Sequence, residues 1–301
     1  MVPFIFYFIF KGKGKMNKLK VVAHNGIFHT DEVLAIAALE LFNDKDGGIS
    51  ITRTRDKDTI DSADVVFDVG GVYDPENCRF DHHQPSFNEG RYEGNLFSSA
   101  GLCWKHYGYE IGRNFGIRDP SDLKFFHKYV DDRIFLPVDR IDTGERRPRN
   151  GELHFSQLIS MMNDGDDESF QSAVTFAKLT LITIIKEACK KIKERDKMEK
   201  MKKEQKGNKI LVMDEFIQWT TFISARDGFE RVVFPDVFSG TWRVQVRGKS
   251  SSLPSSWGGL NGEALSKETG VADCIFCHRA LFIAGNKTRE GAIEMAKLSI
   301  L

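Results

Sequence analysis

Histidines and carboxylates are concentrated in two short stretches of this 301-residue chain. The first runs from His24 through His29 to Asp31, and the second is Asp81-His82-His83. Together they hold four of the eight histidines. Mixed imidazole and carboxylate ligands suit Mn, Mg, Fe or Zn in an oxygen-rich site better than a structural zinc held by thiolates. The two stretches therefore predict one metal centre.

Each stretch taken alone also has an ordinary explanation. His24, His29 and Asp31 could cap a helix and hold a loop by hydrogen bonds, and tandem histidines occur in loops that bind no metal. An acidic residue, Asp68, follows a predicted strand between them, and this combination favours a metal site. Two ions about 3.5–4 Å apart need a bridging carboxylate. Asp68 is central in the chain order and is the predicted bridge.

The elements around these residues alternate between strand and helix. Leu19 to His24 reads as a buried strand, Val33 to Phe42 as a helix with Thr30 as its N-cap, and Ile49 to Arg53 and Val65 to Val69 as further strands. This alternation predicts an α/β fold with a parallel sheet. In such sheets ligands bind at the carboxyl ends of the strands, where His24 and Asp68 stand.

Two further helices and a long helical segment complete the first part of the chain. Ser98 to Tyr107 and Leu123 to Ile134 read as helices, and the second leads to the acids Asp139 and Asp142. The segment 166–207 reads as a long connecting helix. We therefore predict an N-terminal metal-binding domain over 17–165 and a smaller C-terminal α/β domain over 208–301.

The predicted C-terminal domain is a second run of strand-like segments closed by a helix. Its predicted strands and helix are Ile210–Met213, Arg231–Phe234, Trp242–Val246, Cys274–Ile283 and the helix Thr288–Ser299. The motif Cys274-Ile-Phe-Cys277-His278 matches the c-type haem attachment pattern, but its apolar surroundings favour ordinary core cysteines.

Composition argues against membrane proteins and secreted disulfide-rich proteins. The chain is 41% hydrophobic and 29% charged with no net charge, which is typical of globular proteins and predicts no membrane partner. Five scattered cysteines do not form a secreted disulfide framework, so we expect an intracellular protein of the cytoplasm, nucleus or mitochondrion. The apolar run Val2–Phe10 precedes its lysines, unlike a secretory signal, and residues 1–16 are interpreted as a doubtful N-terminal extension.

Basic residues cluster in two places. The stretch Lys186–Lys206 holds ten Lys or Arg and five Asp or Glu, and Arg146, Arg147 and Arg149 lie in a predicted loop. A solvated helix face is the ordinary explanation for the first cluster. The alternative is an electrostatic track for RNA.

Four motifs carry a resemblance to a known family. They are His24-Asn-Gly-x-Phe-His-x-Asp-Glu32, Asp68-Val-Gly-Gly-x-Tyr-Asp74, Asp81-His-His-Gln84 and Val138-Asp-x-Ile-Asp-x-Gly144. This series closely resembles the DHH phosphoesterase superfamily and, more narrowly, the melanocyte-proliferating-gene exonuclease family. The resemblance runs from about Leu19 to Leu301.

The resemblance implies a DHH-type metal domain with two divalent ions, Mn or Mg, that activate water. His24 and His29 would bind one ion, and Asp31 and His82 the other, with Asp68 bridging. Asp81 would orient the histidines. His83 would contact the phosphate or help to protonate the leaving group.

The same resemblance implies that the fourth motif supplies one more metal ligand. Asp142 is favoured, with Asp139 as the alternative. The implied activity is 3′-to-5′ hydrolysis of RNA or a short oligonucleotide.

Substrate contacts are expected from a second set of residues, which comprises Asn25, His278, Asn286, Lys287 and Arg289. Arg289 opens the last predicted helix, whose N-terminal amides suit an anion. In the resembling family Gly-Gly-His precedes Thr-Arg-Glu, whereas this chain reads Ala284-Gly285-Asn286-Lys287. Asn286 could donate a hydrogen bond to a phosphate but cannot carry charge, and Lys287 could compensate.

Two other functions stay open. The same metals could serve a small-molecule phosphatase, a pyrophosphatase or a cyclic-dinucleotide hydrolase. Alternatively, the protein could bind nucleic acid without catalysis, although no predicted ligand position is missing. The sequence indicates no oligomeric state.

Overall fold

The computed structural model describes residues 18–43, 48–91, 94–147, 151–248 and 251–300. They form a mixed α/β protein with two compact units, one ending at Ile192 and the other beginning at Lys193. The predicted extension 1–16 lies outside the described residues. Among the described residues, no helix has the length and apolar character needed to cross a bilayer.

The first unit is built on a mixed sheet with the strand order β2-β1-β3-β5-β4. Strands β1, β2, β3 and β5 run parallel and β4 runs antiparallel to β5. The strands are β1 Leu19–Ala23, β2 Ile49–Arg53, β3 Val65–Phe67, β4 Tyr73–Asp74 and β5 Arg79–Phe80. The three predicted strands are confirmed. The two shortest were not predicted because two residues carry no periodic pattern.

Helices pack on this sheet and enclose the larger core. They are α1 Thr30–Phe42, α2 Lys57–Asp61, α3 Ser99–Asn114, α4 Pro120–Val130, α5 Leu136–Asp142 and α6 Phe155–Met161. Helix α1 is buried along nearly its whole length, which agrees with its apolar residues on all sides. The predicted N-cap Thr30 is wrong. His29 is the N-cap, because Glu32 accepts a hydrogen bond from the His29 amide at 2.8 Å.

The predicted helix Leu123–Ile134 is interrupted. Helix α4 ends at Val130, and a π-helical turn over Asp131–Phe135 connects it to α5. Pro137 lacks the amide hydrogen that would continue the regular ladder at this point, which accounts for the wider turn. Asp139 and Asp142 therefore lie on a helix of their own.

Helix α7, Asp167–Glu204, lies within the predicted connecting segment 166–207. Its apolar residues from Phe170 to Ile192 belong to the core of the first unit, and Met198 belongs to a core of the second. The boundary between the two units thus falls inside this helix.

The second unit has a sheet with the strand order β6-β7-β8-β10-β9, antiparallel except for the β6–β7 pair. Its elements are β6 Ile210–Val212, β7 Arg231–Pro235, β8 Trp242–Val246, α8 Gly262–Thr269, β9 Cys274–Cys277, β10 Ile283–Asn286 and α9 Arg289–Leu298. The single strand predicted over Cys274–Ile283 is wrong. Two strands form there, because the chain turns back at Leu281, whose φ is 59° and whose amide bonds to the His278 carbonyl.

Candidate metal centre

The predicted ligands meet at the carboxyl-terminal edge of the first sheet. His24 follows β1, Asp68 follows β3, and His82 follows β5. Because these three strands are parallel, their ends lie at the same edge. The first turn of α1 and the last residue of α5 bring further acids to this edge, and these are Asp31, Glu32 and Asp142.

Asp68 occupies the centre of the cluster. Its Oδ2 lies 3.4 Å from His24 Nε2 and 3.9 Å from His29 Nδ1. Its Oδ1 lies 3.4 Å from His82 Nε2 and 3.3 Å from His83 Nδ1. The carboxylate is buried, and each oxygen faces a different pair of histidines. This is the arrangement expected of a bridging ligand.

Three overlapping groups of ligand atoms lie within 4.8 Å of one another and could hold metal ions. The groups are His24, His29, Glu32 and Asp68; Asp68, His82 and His83; and His29, Asp31 and Asp142. The second and third groups are connected, since His82 Nε2 lies 3.2 Å from Asp142 Oδ2 and 3.7 Å from Asp31 Oδ2. The six predicted metal ligands are therefore brought together.

The donor chemistry of the cluster fits a cation. His24 Nδ1 lies 3.0 Å from the Asn25 carbonyl, which can only accept, so this nitrogen carries a hydrogen and Nε2 is left to bind a proton or a metal ion. Nε2 faces Glu32 Oε1 at 3.0 Å. Among the described residues, four buried polar atoms here have no hydrogen-bond partner, and they are His24 Nε2, Asp31 Oδ1, Glu32 Oε2 and His82 Nε2. Acceptors that face one another in a buried site are stabilised by positive charge.

The pKa shifts of the histidines and carboxylates in the cluster also indicate a site that favours positive charge. Asp68 and then Glu32 raise the pKa of His24 to about 10, and Asp68 raises the pKa of His29. Burial disfavours a charged His82, but Asp68 and Asp142 outweigh it and raise the pKa of this side chain. Burial, followed by the nearby carboxylates, raises the pKa of Asp31 well above its usual value. The centre thus draws in positive charge, as protons or as metal ions.

Asp81 and His83 form a pair beside this centre. Asp81 Oδ1 accepts hydrogen bonds from the His83 amide at 3.1 Å and lies 2.8 Å from His83 Nδ1. Its Oδ2 accepts from the Gly71 amide at 2.7 Å. The Asp81 carboxylate is buried, while 60% of the His83 side chain is exposed. Asp81 therefore holds His83 in place at the open side of the cluster, and its orienting role in catalysis stays a prediction.

Asp139, the alternative fourth-motif ligand, is engaged elsewhere. Its Oδ1 accepts hydrogen bonds from the amides of Ser98 and Gly101, both at 3.1 Å, and its Oδ2 pairs with Arg91. The side chain is fully buried in this network. Asp142, the favoured acid of the fourth motif, lies next to His82 in the cluster, whereas Asp139 holds the start of α3.

Sequence reasoning assigned no role to three residues that shape the centre. Glu32 belongs to the first ligand group. Its position three residues after the N-cap could have indicated from the sequence that its side chain turns back toward His29. Ser99 at the start of α3 donates its amide to Asp31 Oδ2 at 3.2 Å, and its hydroxyl lies 3.5 Å from Asp68 Oδ1. Arg53 donates to the Gly26 carbonyl and so fixes the loop that carries His24 and His29.

The predicted substrate residues fall in both units. Asn25 is exposed beside His24 in the first unit. In the second unit, His278 is exposed and its Nδ1 accepts a hydrogen bond from the Ala280 amide at 3.0 Å. Cys274 and Cys277 are buried core residues, as predicted. Arg146 pairs with Glu152 at 3.0 Å, and Arg149 lies outside the described residues.

Lys287 and Arg289 are accessible but paired. Lys287 Nζ lies 3.3 Å from Asp273, with 67% of its side chain exposed. Arg289 lies 3.1 Å from Asp214, whose side chain is 84% exposed. Exposed pairs of this kind contribute little and exchange partners easily. Both cations are accessible, and their contact with a substrate anion stays a prediction.

Asn286 is not placed as predicted. Its side chain is fully buried, and its amide donates to the Ala272 carbonyl at 2.7 Å. Its Oδ1 accepts from the amide and the hydroxyl of Thr288. These bonds secure the start of α9, so the expected role as a phosphate donor is corrected to a structural one.

Comparison with known proteins agrees with the motifs. The family model MYG1_exonuc, described as "Uncharacterised protein family (UPF0160)", matches residues 20–300. The MYG1 protein of Dictyostelium discoideum is 32% identical over 93% of this chain and 96% of its own length, and the MYG1 exonuclease of Homo sapiens is 29% identical over 93% and 85%. No solved structure matches the chain. By the family model and these relatives, the chain belongs to the MYG1 exonuclease family.

Proposed function

We propose that this protein is a metal-dependent phosphodiesterase that trims RNA from its 3′ end with two divalent ions, Mn or Mg. The observation that carries the proposal is the cluster around Asp68, in which buried imidazole and carboxylate atoms face one another without partners. The names of the mammalian relatives, MYG1 exonuclease, support a nuclease. We further propose that Asp81-His82-His83 is the signature of the DHH phosphoesterase superfamily.

The six predicted ligands would hold the ions. Bound there, two divalent ions would supply an activated water and neutralise charge on the reacting phosphate. Asp68 lies between the two histidine pairs and would connect the two metal positions. Ser99 would keep Asp31 in place through its amide.

His83 would act on the leaving group. Its ring is fixed by Asp81 on one side and is open to solvent elsewhere. A histidine held in this way can donate a proton or a hydrogen bond to the oxygen that departs from phosphorus. Lys287 and Arg289 would neutralise the nucleic-acid backbone.

The test is cleavage of RNA labelled at its 5′ or 3′ end, alongside single-stranded DNA, a dinucleotide and pyrophosphate. We expect Mn- or Mg-dependent shortening of RNA from the 3′ end and loss of cleavage in excess chelator. Asp68→Asn, which keeps the side-chain shape, should lower the rate at least about 100-fold. Asp58→Asn, on an exposed acid of α2, is the control and should be unaffected.

Other results would redirect the proposal. Cleavage of pyrophosphate or the dinucleotide with intact RNA would identify a small-phosphoester hydrolase. Undiminished RNA cleavage by Asp68→Asn would show that the cluster is not the active site. Binding of RNA without any cleavage would support the non-catalytic alternative.

A further inference from the structure

We propose that Glu32 is an additional metal ligand, and that it makes the two metal positions chemically unequal. The inference rests on the proposed dinuclear centre. The resemblance to the family gave Glu32 no role. The evidence for one is the surroundings of its two carboxylate oxygens.

Glu32 is fully buried at the first turn of α1. Its Oε1 accepts the His29 amide at 2.8 Å and lies 3.0 Å from His24 Nε2. Its Oε2 is buried and has no hydrogen-bond partner among the described residues. Helix capping explains Oε1 only. A capping carboxylate is normally at the surface, where water satisfies its second oxygen.

An unpartnered carboxylate oxygen in a buried site is costly unless a cation lies beside it. Glu32 belongs to a group whose ligand atoms lie within 4.8 Å of one another, and its partners there are His24, His29 and Asp68. A cation in this group would contact the free oxygen or the lone pair of His24. Glu32 can serve as cap and as ligand because the two tasks use different lone pairs.

Charge balance supports the assignment. With Glu32, four carboxylates surround the centre, the others being Asp31 and Asp68, which are buried, and Asp142, which is half-buried. Four negative charges balance two divalent ions, whereas three would leave an excess positive charge in a buried site. Asp81 is not counted because it is bonded to His83 and to the Gly71 amide.

The two proposed ligand sets then differ in their proportions of imidazole and carboxylate ligands. The first contains two imidazoles, from His24 and His29, with the carboxylates of Glu32 and Asp68. The second contains His82 with Asp31, Asp68 and Asp142, which lie 3.2–3.7 Å from its Nε2. His83 is not counted because its Nδ1 is bonded to Asp81. Imidazole-rich sets favour Mn, Fe or Zn over Mg, and carboxylate-rich sets accept Mg readily. We therefore expect Mg to replace Mn first in the second set.

The experiment is calorimetric titration of the metal-free full chain with MnCl₂, and electron paramagnetic resonance during displacement by MgCl₂. Wild type should bind two Mn ions. Glu32→Gln keeps an oxygen for the His29 amide, so its helix content should be unchanged, but it should bind one Mn at least about tenfold more weakly. Asp142→Asn should weaken the other ion instead. The control is Glu40→Gln in the same helix, an outer residue that pairs with Lys178.

The expected displacement pattern separates the two sets. The Mn that Glu32→Gln retains should be displaced by Mg more readily than the Mn that Asp142→Asn retains. If Glu32→Gln binds both Mn ions as wild type does, the assignment of Glu32 is overturned while the dinuclear centre stands. If wild type binds no divalent ion, the proposed function itself fails.

Discussion

At the scale of single residues, the backbone of Asp68 is the feature that links structure to chemistry. Its φ is 56°, in the left-handed region that residues other than glycine seldom adopt. Gly70 and Gly71 follow with φ of 97° and 66°, so the chain turns sharply immediately after β3. The strained conformation directs the two oxygens of Asp68 toward two pairs of histidines. Strain of about 1–3 kcal/mol is accepted where it orders a functional group.

Asp81 provides a test at this scale. Its two oxygens serve two different donors, the Gly71 amide and His83. An asparagine has one acceptor oxygen and can satisfy only one of them. We expect Asp81→Asn to lower the RNA cleavage rate about 10–100-fold while Mn stoichiometry stays at the wild-type value. Initial rates and metal analysis of the same preparation check this, and a wild-type rate would contradict the orienting role.

At the scale of elements, helix α3 organises the acidic side of the centre. At its start, the amide of Ser98 donates to Asp139 of α5, and the amide of Ser99 donates to Asp31 of α1. Gly101 allows the close approach, since a Cβ at this position would collide with the Asp139 carboxylate. Two buried carboxylates, Asp139 and Asp31, thus connect α3 to α5 and to α1. Asp142 follows three residues after Asp139 on α5 and is directed to His82 as a result.

Asp139→Asn separates a structural role from metal binding. The change leaves Arg91 with Asp131 as its charged partner and leaves one oxygen to serve either Arg91 or the amides at the start of α3. Losing a hydrogen bond to a charged group in this network costs about 1.5–3 kcal/mol. We expect a lower free energy of unfolding in urea with Mn stoichiometry preserved. Asp142→Asn is the matched variant and should show the opposite pattern, and metal loss by Asp139→Asn in the folded protein would reverse the assignment.

His106 of α3 predicts an acid-sensitive contact in the same region. Burial and then the neighbouring Lys105 ammonium lower the pKa of His106 to about 4, and its Nε2 lies 2.9 Å from the Tyr73 hydroxyl. The unfolded chain binds a proton near pH 6.5, whereas the folded chain does so only near pH 4. Stability is therefore retained above pH 6.5 and lost as the pH falls toward 4.

The measurement is urea unfolding at several pH values between 7 and 4. Between pH 6.5 and 4, wild type should lose about 1–2 kcal/mol more than His106→Gln, since the ring is only partly buried. His278→Asn changes an exposed histidine of the other unit and is the control. Parallel pH profiles for wild type and His106→Gln would refute this contribution.

At the scale of the whole molecule, the two units have separate cores. The larger core runs from Leu19 to Ile192, and the cores of the second unit draw on residues from Met198 onward. All proposed metal ligands belong to the first unit. Metal binding should therefore stabilise one unit selectively.

Hydrogen exchange measures this selectivity. Mn at about 100 times its Kd should stabilise the unit that binds it by about 2.7 kcal/mol per site. Exchange should slow in β1, β3 and α1, while β7 and β8 keep their metal-free rates. Asp68→Asn should abolish the difference. Equal protection of both units would show that the units unfold together or that the ions bind elsewhere.

The sequence by itself predicted a metal-binding cluster and the main elements. Side-chain type and spacing along the chain predicted His24, His29, Asp31, Asp68 and His82 as candidate metal ligands, because imidazoles and carboxylates at strand ends and in one helical turn are local properties. Asp142 was added by the resemblance to the family. Periodicity likewise predicted β1–β3, α7 and the start of the second sheet.

The tertiary structure decided what depends on contacts between distant segments. Asp139 and Asp142 are the same residue type in one short motif, so the local sequence does not separate their roles. In the structure Asp139 bonds to Ser98 and Arg91, whereas Asp142 lies next to His82. Glu32 became a ligand candidate because His24 lies opposite it. Asn286 was corrected because its burial, which depends on α9 and the loop at Ala272, has no signal in the local sequence.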